Sequence, residues 1–397
     1  MQPTAIILGA GVTGLSTAYH LALKKFGRII VLDKGPVGDG SSRRAAAIIT
    51  GLLWSETGVR ARQTALRRYR ELSHELEGYR FQDVGCLNLF DPASWLERER
   101  LLPLYDRLGA PYEILEADEM REAWPQLKPR DEFIGLFDPL GGYSEPDEYL
   151  PALAAGCRRL GVEIREHQAA TGFRMEGGRL AAVRTATEEI GADAIISTLY
   201  SWTNIVLSDV GVRLPVKTVV HQRYVTRPLP EPLHVPAVNA NPFGGYIRPA
   251  AGGRMLAGIE TAGREEYRVT SREFHLSEVD APPALRDQLR ASFRSYVPLL
   301  DSVEWEEERV GLIGFAMDGE PVLGPVKAVP GLFVGLAFHS GGFAYNPVSG
   351  LLLAEFVADG KTHIDVTAFA PERFTAAETE EYLAMTVQQQ DLVRRRH

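Results

Sequence analysis

The sequence TAIILGAGVTG, residues 4–14, decides the fold class of this chain. Residues 5–9 have the apolar character of a buried parallel strand, and a glycine-rich turn follows them. A helix is predicted from about Thr13 to Lys25, and a second apolar strand, Arg28 to Leu32, leads to Asp33. A strand, a helix and a second strand in this order are typical of a doubly wound parallel sheet. We therefore predict an α/β chain that opens with a Rossmann-like unit.

The glycine pattern of this turn predicts a dinucleotide site. Gly9 permits the tight turn, Gly11 lets the backbone approach a pyrophosphate, and Gly14 allows close helix–strand packing. The helix N-terminus offers amide donors to the anion, and the Asp33 carboxylate can accept both ribose hydroxyls. The predicted contacts are Gly9, Gly11, Val12, Thr13, Gly14, Asp33 and Lys34. A purely structural turn is the alternative, and the pattern alone does not separate FAD from NAD.

The composition sets limits on the class of protein. The chain has 397 residues, of which 45% are hydrophobic and 24% charged, so we expect two or three globular domains. This composition excludes a collagen, a disulfide scaffold and a disordered chain. The net charge is −9 and no basic domain is visible, so we predict no nucleic-acid partner.

The location of the protein is predicted from what the sequence lacks. The two cysteines, Cys86 and Cys157, match no metal-ligand spacing, so we predict no metal site and a reducing compartment. The N-terminus shows no secretory signal, and no apolar run approaches the ~18 residues of a membrane span. We therefore expect a cytoplasmic protein that does not bind a membrane.

Two kinds of segment alternate along the chain, which predicts two interleaved domains. Parallel-sheet patterns alternate with antiparallel patterns that proline and glycine interrupt. Helices are predicted over residues 60–77, 93–108, 145–160 and 281–297 and from about 342, with a hairpin at Gly177-Gly178. The first domain comprises residues 1–80, 145–215 and 310–375, the second comprises 81–144 and 216–309, and 376–397 form a helical tail.

Five further segments resemble the FAD-dependent amine and amino-acid oxidoreductases of the D-amino-acid oxidase superfamily. The nearer relatives are similar to glycine oxidase, sarcosine oxidase and dimethylglycine dehydrogenase, and the resemblance covers roughly residues 4–375. The segments are Gly40–Ala46, Gly141–Pro146, the strand pair Tyr246–Pro249 and Gly252–Gly258, Asp318–Gly324, and Gly335–Phe343. The resemblance implies FAD, held by a Rossmann-like domain interleaved with an antiparallel-sheet substrate domain.

The same resemblance implies further cofactor contacts. The hydroxyls, amides and charges of the 41–46 loop suit a pyrophosphate or ribityl chain, although a solvated loop is the alternative. Because no His lies between Asp33 and Trp54 and no Cys lies near Asp318, we expect noncovalent FAD. The implied contacts are Ser41, Ser42, Arg43, Arg44, Ala45, Ala46, Ala170, Gly314, Ser340, Gly341, Gly342 and Phe343.

The predicted catalytic residues are Tyr246, Arg248 and His339. Tyr246 and Arg248 alternate on one predicted strand, so their side chains share a face. Arg248 is predicted to clamp a substrate carboxylate, although a packing Tyr and an exposed Arg are the alternative. Arg309 and Arg223 are other candidates for the clamp. His339 either faces the flavin or caps the turn.

The predicted function is oxidation of the C–N bond of a small amino acid or N-substituted glycine. A hydride would pass to flavin N5, the resulting imine would hydrolyse, and oxygen or an electron carrier would take the electrons. The alternatives are an auxiliary FAD-holding subunit of a larger complex and a nicotinamide-dependent dehydrogenase. The substrate's identity and the oligomeric state stay open, and the tail, with its basic Arg394–Arg396 end, is predicted to be a surface helix.

Overall fold

The computed structural model describes residues 2–259, 266–279 and 284–387, and these form ten α-helices and twenty strands. The helices are α1 (Val12–Leu23), α2 (Glu56–Glu75), α3 (Pro92–Glu99), α4 (Leu102–Leu108), α5 (Ala117–Ala123), α6 (Pro146–Arg159), α7 (Thr203–Leu207), α8 (Ala284–Phe293), α9 (Gly342–Asp359) and α10 (Ala376–Ala384). The strands are β1 (Thr4–Leu8), β2 (Arg28–Leu32), β3 (Ile48–Ile49), β4 (Cys86–Phe90), β5 (Glu113–Leu115), β6 (Ile134–Asp138), β7 (Gly142–Tyr143), β8 (Glu163–Arg165), β9 (Gly172–Glu176), β10 (Arg179–Arg184), β11 (Glu189–Gly191), β12 (Ala194–Ser197), β13 (Val216–Thr226), β14 (Ala237–Ala240), β15 (Gly245–Ala250), β16 (Arg254–Ile259), β17 (Trp305–Ala316), β18 (Val322–Pro325), β19 (Leu332–Leu336) and β20 (Phe338–His339).

The first sheet is built around β1, as the opening sequence predicts. Its strand order is β18-β19-β12-β1-β2-β8, and only β18 in this described order runs antiparallel to its neighbour. β1 lies between β2 and β12, so the order reverses at β1. In such sheets ligands bind outside the carboxyl ends of the strands at this switch point. The glycine turn that follows β1 therefore lies where a dinucleotide site is expected.

The second sheet, called the large sheet below, has nine strands. Its order is β20-β17-β13-β16-β15-β14-β4-β6-β5, and among these described strands only β14 and β4 pair in parallel. The longest pairing joins β13 to β17, from Val216 opposite Ala316 to Thr226 opposite Trp305. A mostly parallel sheet and a mostly antiparallel sheet in one chain confirm the predicted fold class.

The two sheets are joined directly at β19 and β20. β19 belongs to the first sheet, whereas β20 follows after a single residue and pairs with β17 of the large sheet. The backbone changes direction through Ala337 and His339, which have φ angles of 60° and 59°. Non-glycine residues rarely adopt this left-handed conformation. The cavity described below lies at this junction.

Several predicted boundaries differ from the structure. The boundary predicted before residue 310 falls inside β17, which stays in the large sheet as far as Ala316. The helix predicted over 93–108 is two helices, because Pro103 starts a new first turn at α4. α2 begins four residues before the predicted start, because Ser55 caps it by accepting the Gly58 amide.

The C-terminal predictions are only partly covered by the described residues. The tail forms α10 as far as Ala384, and Arg394–Arg396 lie outside the described residues. The helix predicted over 281–297 is seen as α8, which begins directly after undescribed residues. No helix in the described part of the chain is long and apolar enough to span a membrane.

Helices α1 and α9 pack together through a glycine. A Cβ atom at Gly350 of α9 would overlap the side chain of Ser16 in α1 and lie 2.5 Å from the Ser16 carbonyl carbon. Overpacking of a rigid interior costs about 1–3 kcal/mol, more where backbone atoms are involved. This exceeds the roughly 1 kcal/mol by which alanine favours a helix over glycine.

We therefore expect Gly350→Ala to lower the free energy of unfolding by about 1–2 kcal/mol. Denaturant titration followed by circular dichroism measures this change. The matched control is Gly172→Ala in β9, where an added Cβ meets no described atom within 4 Å and the backbone is not left-handed. Equal stabilities for the two variants would show that α1 and α9 can separate without cost.

Candidate cofactor and substrate pocket

One long cavity lies between the first sheet and the large sheet. It extends from the glycine turn after β1, past the 41–47 loop, to the N-terminus of α9 and the inner face of the large sheet. Most of the residues predicted from the sequence line it. These are Gly9, Gly11, Val12, Thr13, Asp33, Lys34, Ser41, Ser42, Arg44, Ala45, Ala46, Ala170, Tyr246, His339, Ser340, Gly341, Gly342 and Phe343.

Four predicted residues lie outside the cavity. Gly14 packs beneath the turn, where a Cβ would overlap the carbonyl of Gly9. Gly314 donates its amide to the Tyr200 hydroxyl (2.5 Å), and Arg43 lies 3.5 Å from the Asp147 carboxylate. The fourth, Arg248, is described below. Gly14 thus has the packing role that the motif predicts.

The cavity begins at the N-terminus of α1. Gly11 is the N-cap residue, and as a glycine it has no side chain to cap the first amides. The Val12 amide donates to Ser42 Oγ (3.0 Å), which joins the turn to the 41–47 loop. A Cβ at Gly11 would lie 2.9 Å from Ser42 Oγ, so only glycine keeps this approach open. An anion at this point would meet amide donors and the positive end of the helix dipole.

Asp33 is fixed by backbone amides at the end of β2. Its carboxylate accepts hydrogen bonds from Ala10 N–H (2.7 Å) and Gly35 N–H (2.9 Å). Burial raises the pKa of Asp33. A carboxylate can accept about four hydrogen bonds, so acceptor sites remain for ribose hydroxyls.

A distant segment closes this end of the cavity. Lys34 Nζ lies 4.4 Å from the centre of the Trp202 ring and donates to the carbonyls of Arg272 (2.8 Å) and Phe274. Arg272 and His275 of the same segment line the cavity. Arg272 and His275 were not predicted, because the contact between Lys34 and Phe274 spans 240 residues and no local sequence pattern indicates it.

The opposite end of the cavity lies at the N-terminus of α9. Gly341 is its N-cap residue, so a second uncapped helix N-terminus faces the cavity. His339 Nδ1 accepts the Ser340 amide (2.8 Å), and the same residue lines the cavity. His339 therefore bonds within the turn and also lies in the lining of the cavity.

The large sheet contributes a polar wall. The Tyr246 hydroxyl lies 2.6 Å from His221 Nε2, with the two rings stacked 5.6 Å apart. Asn239 is opposite Tyr246 in the β14–β15 pairing, and it also lines the cavity. His221 and Asn239 were not predicted, because their positions depend on the strand order of the sheet.

The structure corrects the substrate clamp predicted for Arg248. This side chain is 0% exposed, and its guanidinium pairs with both carboxylate oxygens of Glu145 (2.9 and 3.1 Å). Its Nε donates to the Ala46 carbonyl (2.7 Å). Arg248 does share a face with Tyr246, but Glu145 takes up the fork that a substrate would need.

The two alternative clamps are also paired with acids. Arg309 donates to Asp147 (2.8 and 3.1 Å) and Arg223 lies 3.2 Å from Glu307. Neither belongs to the described lining of the cavity. A buried arginine that does line it is Arg62 of α2, which falls within the helix predicted over 60–77 and for which no role was predicted.

Comparison with known proteins identifies relatives over most of the chain. Residues 4–356 match the sequence model of a family described as FAD dependent oxidoreductase. The chain is 26% identical over 362 residues to the sarcosine oxidase subunit beta of Rhodobacter capsulatus, covering 89% of this chain and 84% of that protein. It is 27% identical over 390 residues to the glycine oxidase of Pseudomonas putida, covering 94% and 99%.

Solved structures show the same fold. The L-proline dehydrogenase from P. horikoshii superposes with a TM-score of 0.86 at 22% identity, covering 95% of this chain and 99% of that one. The glycine oxidase from Geobacillus kaustophilus gives a TM-score of 0.80 at 23% identity, covering 94% and 100%.

The Glu145–Arg248 pair yields a stability prediction. Burial alone would raise the pKa of Glu145, but the Arg248 guanidinium outweighs burial and holds that pKa below its usual value. Removing one partner of a buried pair leaves an unpaired charge and costs about 3 kcal/mol. We expect Glu145→Gln to lose this amount at pH 7, measured by denaturant unfolding.

The pH dependence gives a second measurement on the same variant. A carboxylate with a depressed pKa stabilises the fold above its unfolded pKa, and this contribution is lost as the pH falls through its folded pKa. The difference between wild type and Glu145→Gln should therefore shrink below about pH 4. Glu148→Gln, on the same helix, is the control, because burial raises the pKa of Glu148 and no stability should be lost. A constant difference across this range would contradict the assignment.

Proposed function

The chain belongs to the family of FAD-dependent oxidoreductases, and from this premise we propose that it oxidises the C–N bond of a small amino acid or N-substituted glycine. The family relationship makes it an FAD-dependent enzyme. The substrate class is our inference from the relatives, among which are a sarcosine oxidase subunit and a glycine oxidase.

The main support for this proposal is that the cavity is continuous. A single space connects a dinucleotide turn, a second helix N-terminus and a polar wall on the large sheet. The first two features suit the two ends of a long dinucleotide, and the third suits a small polar substrate beside it. A simple nucleotide-binding site would not need the third feature.

The residues present fit FAD. The uncapped turn at Gly11, the Ser42 hydroxyl and the Asp33 carboxylate would hold its pyrophosphate and ribose. The amides of Gly342 and Phe343 would face the pyrimidine edge of the flavin, whereas the Gly341 amide already donates to the Phe338 carbonyl (2.8 Å). Bound FAD would supply a two-electron acceptor for the hydride of the substrate carbon, leaving an imine that water would hydrolyse.

The chain's own residues provide binding, orientation and electrostatics. The positive end of α9 stabilises the negative charge that develops at the pyrimidine edge on reduction. Tyr246, with its hydroxyl held by His221, and Asn239 form the polar surface that orients a substrate. Our proposal requires no strong side-chain base, because a neutral amine can be oxidised by hydride loss alone.

A second candidate function is a subunit of a larger oxidoreductase. The names of the relatives from Rhodobacter capsulatus and from an Arthrobacter species describe them as subunit beta of a sarcosine oxidase. In that case the chain would keep the same pocket and pass electrons to a partner rather than to oxygen. The electron acceptor separates the two candidates.

Anaerobic reduction of the bound flavin tests the proposed function. We expect loss of the oxidised-flavin absorbance with one class among glycine, N-alkylglycines, D- and L-amino acids and proline. Rapid recovery on admitting air would identify an oxidase, and slow recovery would favour the subunit role. A yellow protein that none of these compounds reduces would overturn the proposed substrate class.

We also propose that FAD is held noncovalently. No cysteine of the described chain lines the cavity, and the sequence between Asp33 and Trp54 contains no histidine. Precipitation of the holoprotein with trichloroacetic acid should release all the yellow colour into the supernatant. Colour retained in the washed pellet would demonstrate a covalent bond.

A further inference from the structure

Four arginines are buried in the described chain, and one of them differs from the other three. Arg223 and Arg248 are paired with Glu307 and Glu145. Arg98 donates to the Tyr105 hydroxyl (2.8 Å) and the Leu52 carbonyl (3.3 Å). Arg62 is 7% exposed, and of the four it alone belongs to the described lining of the cavity.

The bonding of Arg62 is incomplete. Its Nη1 donates to the Thr50 carbonyl (3.2 Å), and its guanidinium lies 4.5 Å from the centre of the Tyr345 ring. Its Nε atom and the Tyr345 hydroxyl are both buried, and neither makes a well-aligned hydrogen bond to a described atom, although the two side chains interact electrostatically with each other. Buried donors without partners are rare in native proteins and require an explanation. Both belong to residues that line the cavity.

The charge of Arg62 is also unbalanced. No carboxylate of the described residues lies within 4 Å of its guanidinium nitrogens. After burial, the largest electrostatic influence on the pKa of Arg62 comes from Tyr345, and Glu320 contributes less. Burial also raises the pKa of Glu320 and so disfavours its charged form. Burial lowers the pKa of Arg62, yet an arginine stays protonated in proteins. Arg98 also has no carboxylate beside it, but it has a hydroxyl and a carbonyl as acceptors and lies outside the described lining of the cavity. Arg62 has a single carbonyl acceptor and borders the cavity, so an anion from outside the chain can reach it and balance its charge.

The surroundings hold this guanidinium in a fixed place. Thr50 donates its hydroxyl to the buried Asp138 (3.0 Å), which also accepts the Gly51 amide (2.6 Å). On the other side, a Cβ at Gly341 would overlap Arg62 Nη2, so the guanidinium packs directly against the N-cap residue of α9. Arg62 is thus fixed beside the α9 end of the cavity.

We propose that Arg62 binds the carboxylate of the substrate, with the Tyr345 hydroxyl as a second donor. This inference rests on the proposed function, since amino acids and N-substituted glycines all carry that group. In the proposed function the pyrophosphate of the cofactor would lie elsewhere, at the N-terminus of α1 beside Ser42. The planar guanidinium fork matches a carboxylate in both geometry and charge.

Ligand titration of the oxidised holoprotein tests the inference without turnover. The probes are 2-furoate, a flat carboxylate, and 2-furamide, its neutral counterpart, each followed by the shift in flavin absorbance. We expect Arg62→Lys to weaken furoate binding about 10-fold and Arg62→Gln about 100-fold, from the loss of charge-assisted hydrogen bonds. Furamide binding should change by less than about twofold. Arg98→Lys, a change to another buried arginine, is the matched control and should alter neither affinity.

The outcomes separate this inference from the proposed function. If wild type binds furoate no more tightly than furamide, the inference is overturned, even if the Arg62 variants fail to fold. If the Arg62 variants weaken both probes equally, Arg62 acts on the cofactor or the fold, which also overturns it. If furoate depends on Arg62 but no amine or amino acid reduces the flavin, the carboxylate site stands and the proposed oxidation fails.

Discussion

The packing of α1 against α9 is the constraint on which the pocket depends. α1 follows β1 of the first sheet, and α9 follows the β19–β20 junction between the two sheets. Gly350 lets them approach closely, and each begins with a glycine N-cap, Gly11 or Gly341. Two uncapped N-termini therefore open onto one cavity, and each supplies amides and a partial positive charge to it. Bound FAD would place its pyrophosphate at the N-terminus of α1, and the pyrimidine edge that becomes negative on reduction at the N-terminus of α9. It would therefore need donors at both points.

The large sheet reaches this cavity through a few strong connections. β20 pairs with β17 immediately after the chain leaves the first sheet, through left-handed residues at Ala337 and His339. Arg248 of β15 binds Glu145 at the start of α6 and the Ala46 carbonyl in the 41–47 loop. The polar wall that carries Tyr246, where we propose that the substrate binds, is thus fixed to the first sheet and the 41–47 loop by covalent and ionic links. This explains why a residue that the sequence suggests for substrate binding serves instead to join the two parts.

Features that depend on residues close together in the sequence could be predicted, whereas contacts between residues far apart in the sequence could not. The turn from Gly9 to Asp33 is a local motif, and the cofactor contacts predicted from it and from the resemblance mostly line the cavity. The shared face of Tyr246 and Arg248 was also predictable, since alternation along a strand is local. The partner of Arg248 was not, because Glu145 lies 103 residues away. Arg62 was hidden for a different reason. It belongs to an arginine-rich helix, and only the packing of α2 beside α9 separates its buried face from its solvated face.

The cationic side chains at the two ends of the cavity differ in how many of their hydrogen-bond and ion-pair partners the chain itself supplies. The cationic side chains Lys34 and Arg44 line the cavity, and backbone carbonyls already accept their hydrogen bonds. Arg272 at the same end pairs with Asp209 at 2.6 Å. Arg62 has one carbonyl, one aromatic ring and an unpartnered Nε. Because a buried charge is costly unless it is paired, an anion that enters the cavity beside Arg62 would relieve this cost. The charged part of a substrate would then bind where the chain leaves its own charge unbalanced.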